Sequence, residues 1–201
     1  MPKLAKPTLS ERRSQELRTT IALTARDLFM TDGDTSATVE RICEIVGIAP
    51  RTFHRHFQVK EDVVIPLFRR FGGTMTGVLA TAPAGADPLE TLVHAFTTRV
   101  DRRDLPELDR EFMTLIVRNA QYRLRWLECA EQLYAPVTEF LTAHYELDED
   151  PFLRSLPAHL IAHTSRHAYI QWVDTGDFAE LEVNHRRGFS MVLHSLRPSS
   201  R

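Results

Sequence analysis

Apolar residues recur three and four positions apart along almost the whole chain, and runs that alternate apolar with polar residues are hard to find. A spacing of three and four lines side chains along one stripe of a helix, whereas a half-buried strand needs a period of two, so the pattern predicts an all-α fold. The length, 201 residues, leaves room for a small module joined to a larger one. We divide the chain into residues 1–70 and 71–201. The clearest loop, Thr81-Ala82-Pro83-Ala84-Gly85-Ala86-Asp87-Pro88, follows soon after, punctuated by proline and glycine and free of bulky apolar side chains.

No apolar run approaches the roughly 18 residues that a bilayer crossing needs, and the basic N-terminus MPKLAKPTLSERR lacks the apolar stretch of a secretory signal. The expectation is a cytoplasmic protein without a membrane partner. Cys43 and Cys129 are the only cysteines and form no CxxC pair, so neither a disulfide framework nor a cysteine-rich zinc site is expected. The net charge of −2 is unevenly placed: residues 1–70 carry 12 Lys and Arg against 9 Asp and Glu, and residues 71–201 carry 13 against 18. The first part is therefore the candidate polyanion face.

Within that part the spacing predicts a helix over about 10–31, with Leu17, Ile21, Ala25, Leu28 and Phe29 on one stripe and Thr8 with Glu11 forming a capping box. A second begins after Thr38, whose hydroxyl suits an N-cap, carries Val39, Ile42, Cys43 and Val46 on one face, and stops at Gly47. A third opens at Pro50 and closes near Phe57, with Phe53 and Phe57 one turn apart and pointing inward. A fourth starts near Lys60, and Pro66 is expected to distort its second turn.

A helix of eight or nine residues, a glycine turn and a second short helix can present that second helix to the major groove of DNA. Its outward side chains must then be cations and hydrogen-bond donors. Between the two phenylalanines stand Arg51, Thr52, His54, Arg55 and His56: cations reach phosphates and guanine edges, and a threonine hydroxyl bonds either phosphate or base. Lys60 opens the next helix, where free backbone N–H groups favour an anion.

These residues, Ala25, Leu28-Phe29, Gly33, Thr38-Val39, Ile42-Cys43, Val46-Gly47-Ile48, Thr52-Phe53-His54-Arg55-His56-Phe57 and Lys60-Glu61, resemble the N-terminal signature of the tetracycline-repressor (TetR) family of bacterial regulators. The resemblance implies a three-helix DNA-binding domain with a basic N-terminal arm over 1–70, and a helical effector-binding and dimerisation domain over 71–201. It implies a homodimeric, ligand-responsive repressor released from a palindromic operator in double-stranded DNA by a small molecule, and no enzymatic activity. It places Thr38 near the DNA backbone, Arg51, Thr52 and Arg55 toward the groove, and His56 and Lys60 at phosphates. His54 stands where the family usually carries a tyrosine, and Ala49 where it carries a serine cap. Lys3, Lys6, Arg12, Arg13 and Arg18 resemble the basic extensions that some members lay along DNA, and read equally as a solvated tail.

Beyond the loop the spacing predicts helices over 88–102, 105–119, 121–146, 151–175 and 178–196, with Pro136 kinking or splitting the third. The resemblance assigns dimerisation to the last two, where Leu160, Ile161, Ala168, Trp172, Phe178, Leu181, Phe189, Val192, Leu193 and Leu196 supply apolar surface or fill the subunit's own core. Phe112, Ile116, Trp126 and Tyr169 are candidates to line an effector pocket, with Arg118 and His163 as polar partners; Arg166 is a further candidate for an acidic head group. His159, His163 and His167 share one helical face at the spacing of a zinc-binding helix. That spacing suits a pocket or a dimer seam as well, and no glutamate stands between them as the HExxH arrangement requires, so no metal or cofactor is assigned.

Overall fold

The computed structural model describes residues 8–83, 85–98 and 106–198, with the side chains of 106–109 also set aside. Lys3 and Lys6 of the expected basic arm lie outside the described residues. Helix α1 runs Leu9–Asp32 behind the Thr8–Glu11 capping box and ends on Gly33, whose φ of 71° is the left-handed conformation that lets the chain leave the helix. Helices α2 (Val39–Val46) and α3 (Pro50–His56) follow, with Gly47 at φ 76° between them. A 3-10 turn, Lys60–Val64, then leads into α4 (Ile65–Ala80). The helix expected from Lys60 thus changes from 3-10 to α geometry at Val64, in the turn that Pro66 was expected to distort, and Pro66 itself falls in the first turn of α4, where a missing N–H is tolerated.

The second part comprises α5 (Pro88–Thr97), α6 (Pro106–Arg118), α7 (Ala120–Ala130), α8 (Tyr134–His144), α9 (Pro151–Thr175) and α10 (Phe178–Leu193). Helix α5 is capped at Thr98, and the expected residues beyond it lie outside the described residues. The long segment expected over 121–146 is split, but not by Pro136. The break is a 3-10 turn at Glu131–Leu133, and Pro136 falls in the first turn of α8, where it is tolerated. Its last two residues, Tyr145–Glu146, are extended (β1) and pair antiparallel with Arg197–Pro198 (β2), so α10 ends at Leu193 rather than at 196.

Two apolar clusters hold the helices together. One lies within the second part and joins α4, α5, α8, α9 and α10 through Met75, Leu92, Phe96, Val137, Ile161 and Phe189. The other crosses the expected boundary at residue 70: Ile21, Phe29, Ile42, Phe53 and Phe57 share it with Phe112, Ile116, Tyr122 and Trp172. Phe29 meets the edge of Tyr122 at 5.4 Å between ring centres. Polar ties reinforce the junction, Asp62 with Arg125 at 2.8 Å and the Asn119 amide with the Thr35 hydroxyl at 3.0 Å. A movement of α6, α7 or α9 is therefore transmitted to the N-terminal helices through packed side chains, which resist compression and shear.

Most of the apolar residues expected at a dimer seam are spent inside the subunit. Ile161, Ala168, Trp172, Leu181, Phe189, Val192 and Leu193 are buried, and of the expected set only Leu160 belongs to the large apolar residues left exposed, with Phe152, Leu153, Val183 and Met191 beside it on α9 and α10.

Candidate nucleic-acid interface and effector cavity

The segment from Thr38 to Phe57 owes its shape to a few local choices. The Thr38 hydroxyl accepts from the Arg41 N–H at 3.2 Å and so caps α2. Ala49 at the N-cap of α3 offers no such bond, and α3, seven residues long, is too short to be stable alone. It is held by burial of Phe53 and Phe57, whose rings lie 5.3 Å apart.

With those two rings inward, Arg51, His54 and Arg55 are left exposed and Thr52 half-buried. Neither Arg51 nor Arg55 is ion-paired among the described residues, so the outward face of α3 is a row of available cations and donors.

His56 and Lys60 are placed differently. His56 is half-buried, with its Nδ1 3.5 Å from the Ser14 hydroxyl, and burial beside Arg55 and Arg18 lowers its pKa. The Lys60 ammonium donates to the Thr35 carbonyl at 2.8 Å and pins the loop before α2. Arg18 is not part of an extended arm: it lies within α1, donates to the His56 carbonyl, and sets its guanidinium 4.6 Å over the Phe57 ring. It clamps α1 to the end of α3. Arg12 and Arg13 likewise belong to the first turns of α1. The helix expected over 10–31 already contains Arg18, whereas its clamp on the end of α3 depends on how α1 crosses that helix.

Among the cavities of the described residues, two adjoin one another between the helices. The larger, about 300 Å³, lies between α4, α5, α7, the Glu131–Leu133 turn and α9; Phe71, Met75, Phe96, Trp126, Tyr134 and Tyr169 line it, with His163, Ser165 and Arg166 on its α9 side. The smaller, about 140 Å³, reaches α1 through Leu23 and Arg26, and has Phe112, Met113, Trp172 and Phe178 in its wall. Phe68, Phe71, Trp126 and Tyr169 belong to both. Of the expected pocket residues, Trp126, Tyr169 and His163 line the larger chamber and Phe112 the smaller. Ile116 lines neither, being fully buried in the cluster that joins the two parts of the chain, and Arg118 is exposed at the end of α6. Phe68 and Phe71, on α4, line both chambers and were not among the expected pocket residues. Their place in the chamber depends on how α7 and α9 cross α4.

The α9 histidines do not converge. His159 stacks on Tyr134 at 3.9 Å, and its Nδ1 donates to the Ser155 carbonyl at 2.9 Å. His163 and His167 are exposed, and no group of three or more metal-ligating side chains stands together among the described residues.

A histidine that the spacing did not single out, His185 on α10, is fully buried. Its Nδ1 meets the Leu181 carbonyl at 2.8 Å and its Nε2 the Ser165 hydroxyl at 2.9 Å, and burial drives its pKa down to about 4. A carbonyl only accepts, so Nδ1 carries the proton and Nε2 is the acceptor. Because the folded pKa lies below the ordinary 6.5, this residue's contribution is complete above pH 6.5 and is lost as pH falls toward 4. Over that window the protein is expected to lose about 1.4 kcal/mol more per pH unit than a His185→Gln variant. Urea melts at several pH values measure the difference, and parallel curves would refute it.

Residues 21–66 match the family model described as bacterial regulatory proteins, tetR family. The chain is also 30% identical to the HTH-type transcriptional regulator TcmR of Streptomyces glaucescens, over 96% of its own length and 88% of that protein's. It belongs to the TetR family. The TetR fold recurs in solved structures of low identity. One is FadR of Thermus thermophilus, a TetR-family repressor in complex with lauroyl-CoA, 20% identical over 88% of this chain and 93% of that one, with a TM-score of 0.62. Another is a SmeT–triclosan complex, 14% identical over 92% and 93%, with a TM-score of 0.61. TetR-family proteins are DNA-binding transcriptional regulators, and this chain is one of them. No helix among its described residues is long and apolar enough to cross a membrane.

Proposed function

We propose that the protein is a homodimeric repressor that grips a palindromic operator with two copies of α3 and lets go when a small molecule fills the chambers behind them. The observation that carries this reading is the division of labour between α3 and its C-cap, in which Phe53 and Phe57 are buried while Arg51, His54 and Arg55 face outward. Two such helices about one DNA turn apart read the two half-sites of a palindrome. Leu160, Val183 and Met191, exposed on α9 and α10, are the surface we assign to the partner subunit. Its site of action is the cytoplasm, where the operator is, and no turnover of the effector enters the mechanism.

An effector must prefer one conformation if it is to move the equilibrium. The smaller chamber touches α1 directly through Leu23 and Arg26, and Phe68 belongs both to the chamber walls and to the cluster that holds Phe53 and Phe57. A ligand that spreads this wall displaces α1 and α4 and changes the separation of the two reading heads. FadR with lauroyl-CoA and SmeT with triclosan support a small-molecule site on this fold.

Selection of bound fragments from genomic DNA, followed by gel-shift titration at several salt concentrations, tests the reading. We expect recovered palindromes and an affinity that falls steeply with salt, log K dropping by about 0.9 per phosphate neutralised for each log unit of salt. A chain with no duplex affinity, or one whose affinity ignores salt, would sink the proposal.

A further inference from the structure

A guanidinium drawn partly out of water recovers what it loses in hydration by finding a partner. The half-buried arginines among the described residues do so with one exception. Arg18 donates to the His56 carbonyl and covers Phe57, Arg110 donates to the Val173 carbonyl, and Arg26 lies beside Asp27. Arg125 is paired with Asp62 and Glu128, and Arg186 with Glu90. The exception is Arg166, whose guanidinium has neither an ion pair nor a hydrogen bond among the described residues. Its own helix offers no acid, since the positions three and four residues away on α9 are Ala162, His163, Tyr169 and Ile170. The side chain lines the larger chamber instead.

The rest of that wall does not supply the missing charge. Glu128 is already paired with Arg125 at 3.0 Å. Glu131 is exposed, where water screens it, and makes no ion pair with Arg166. Burial pushes the Cys129 thiol up, so it is uncharged at neutral pH. One turn before Arg166, His163 also lines the chamber and adds a ring N–H donor. Phe71, Met75, Trp126 and Tyr134 supply apolar and aromatic surface for a flat body. We propose that the effector is an aromatic carboxylic acid bound as its anion, the carboxylate on the guanidinium of Arg166 and the ring system against Phe71, Trp126 and Tyr134. The planar fork of arginine presents two parallel N–H groups, which match the two oxygens of a carboxylate. A ligand of one negative charge neutralises the one unpaired cation, whereas an uncharged or cationic ligand leaves it without a partner in the wall. The proposal rests on the reading of this chamber as the effector site.

Isothermal titration of the full-length protein at neutral pH and low salt with 2-naphthoate, 2-naphthamide and 2-naphthylmethylammonium tests it, since the three share one ring system and differ in charge. We expect 2-naphthoate to bind about tenfold more tightly than the amide, the difference between a charge-assisted and a neutral hydrogen bond. The cation should bind most weakly, and the preference for the anion should shrink as salt is raised, because Arg166 is partly open to water. Arg166→Met keeps the apolar stem and should bring the naphthoate to the level of the amide. Arg166→Lys keeps the charge without the fork; it should narrow the preference, and it carries the test if Arg166→Met does not fold. Equal binding of naphthoate and amide, tightest binding of the cation, or a preference that the folded variants leave unchanged overturns the proposal while leaving the chamber as a ligand site. If none of the three binds, the chamber reading falls and takes the proposal with it. Gel shifts with the unliganded protein test the DNA-binding reading separately.

Discussion

Phe53→Ala is expected to destabilise the protein by about 3–5 kcal/mol and to abolish DNA binding with it. The ring is fully buried, packs against Phe57 at 5.3 Å, and lies in the cluster shared with α6, α7 and α9. Helix α3 has seven residues and no side-chain cap, so nothing local replaces the anchor. Domains of this size are stable by only about 5–15 kcal/mol, and the truncation removes a large part of that. Because the cluster runs from α1 and α3 into the second part of the chain, the loss should appear as a lower midpoint of the whole urea transition rather than as a separate early melting of the N-terminal helices. Phe57→Leu, which keeps most of the volume, should cost about 1.5 kcal/mol or less. A Phe53→Ala protein with wild-type midpoint would show that α3 is held by something other than its buried rings.

How much of this was readable beforehand follows from how local each cause is. Thr8 with Glu11, Thr38, Gly33, Gly47 and Pro50 act within four residues of themselves, and the helix starts, stops and turn they set are found where the spacing puts them. The Glu131–Leu133 break was not legible because no proline or glycine marks it; Pro136, the visible signal, is harmless where it falls. Phe112 and Ile116 stand one turn apart on α6 and belong to the same apolar cluster, yet Phe112 also lines a chamber while Ile116 is fully buried. Which of them faces open space depends on how three other helices cross α6. Likewise the apolar residues of α9 and α10 carry no mark that separates a subunit's core from its seam, and the structure gives most of them to the core.

The same difference between local and distant causes separates the cations of the reading head. Arg51 and Arg55 are exposed and have no ion pair among the described residues, so their replacement removes charge from the surface without unpacking anything. The double variant Arg51→Ala/Arg55→Ala should melt within about 0.5 kcal/mol of wild type. Its operator affinity should fall by roughly 10²–10⁴-fold at fixed salt, since each bidentate base contact is worth about 1–3 kcal/mol. Where the contact is to phosphate instead, the salt slope should drop by about 0.9 for each arginine removed, so the titration tells base readers from backbone holders. Lys60 sets the contrast. Its ammonium is already bound to the Thr35 carbonyl, which also lies beside the Asn119 tie to α6 and α7. Lys60→Ala should therefore lower stability together with affinity, because the loop that leads into Thr38 and α2 loses its clamp. If Lys60→Ala weakens DNA binding at unchanged stability, this lysine leaves Thr35 for a phosphate when DNA arrives. If the arginine pair can be removed without cost to affinity, α3 is not the element that enters the groove.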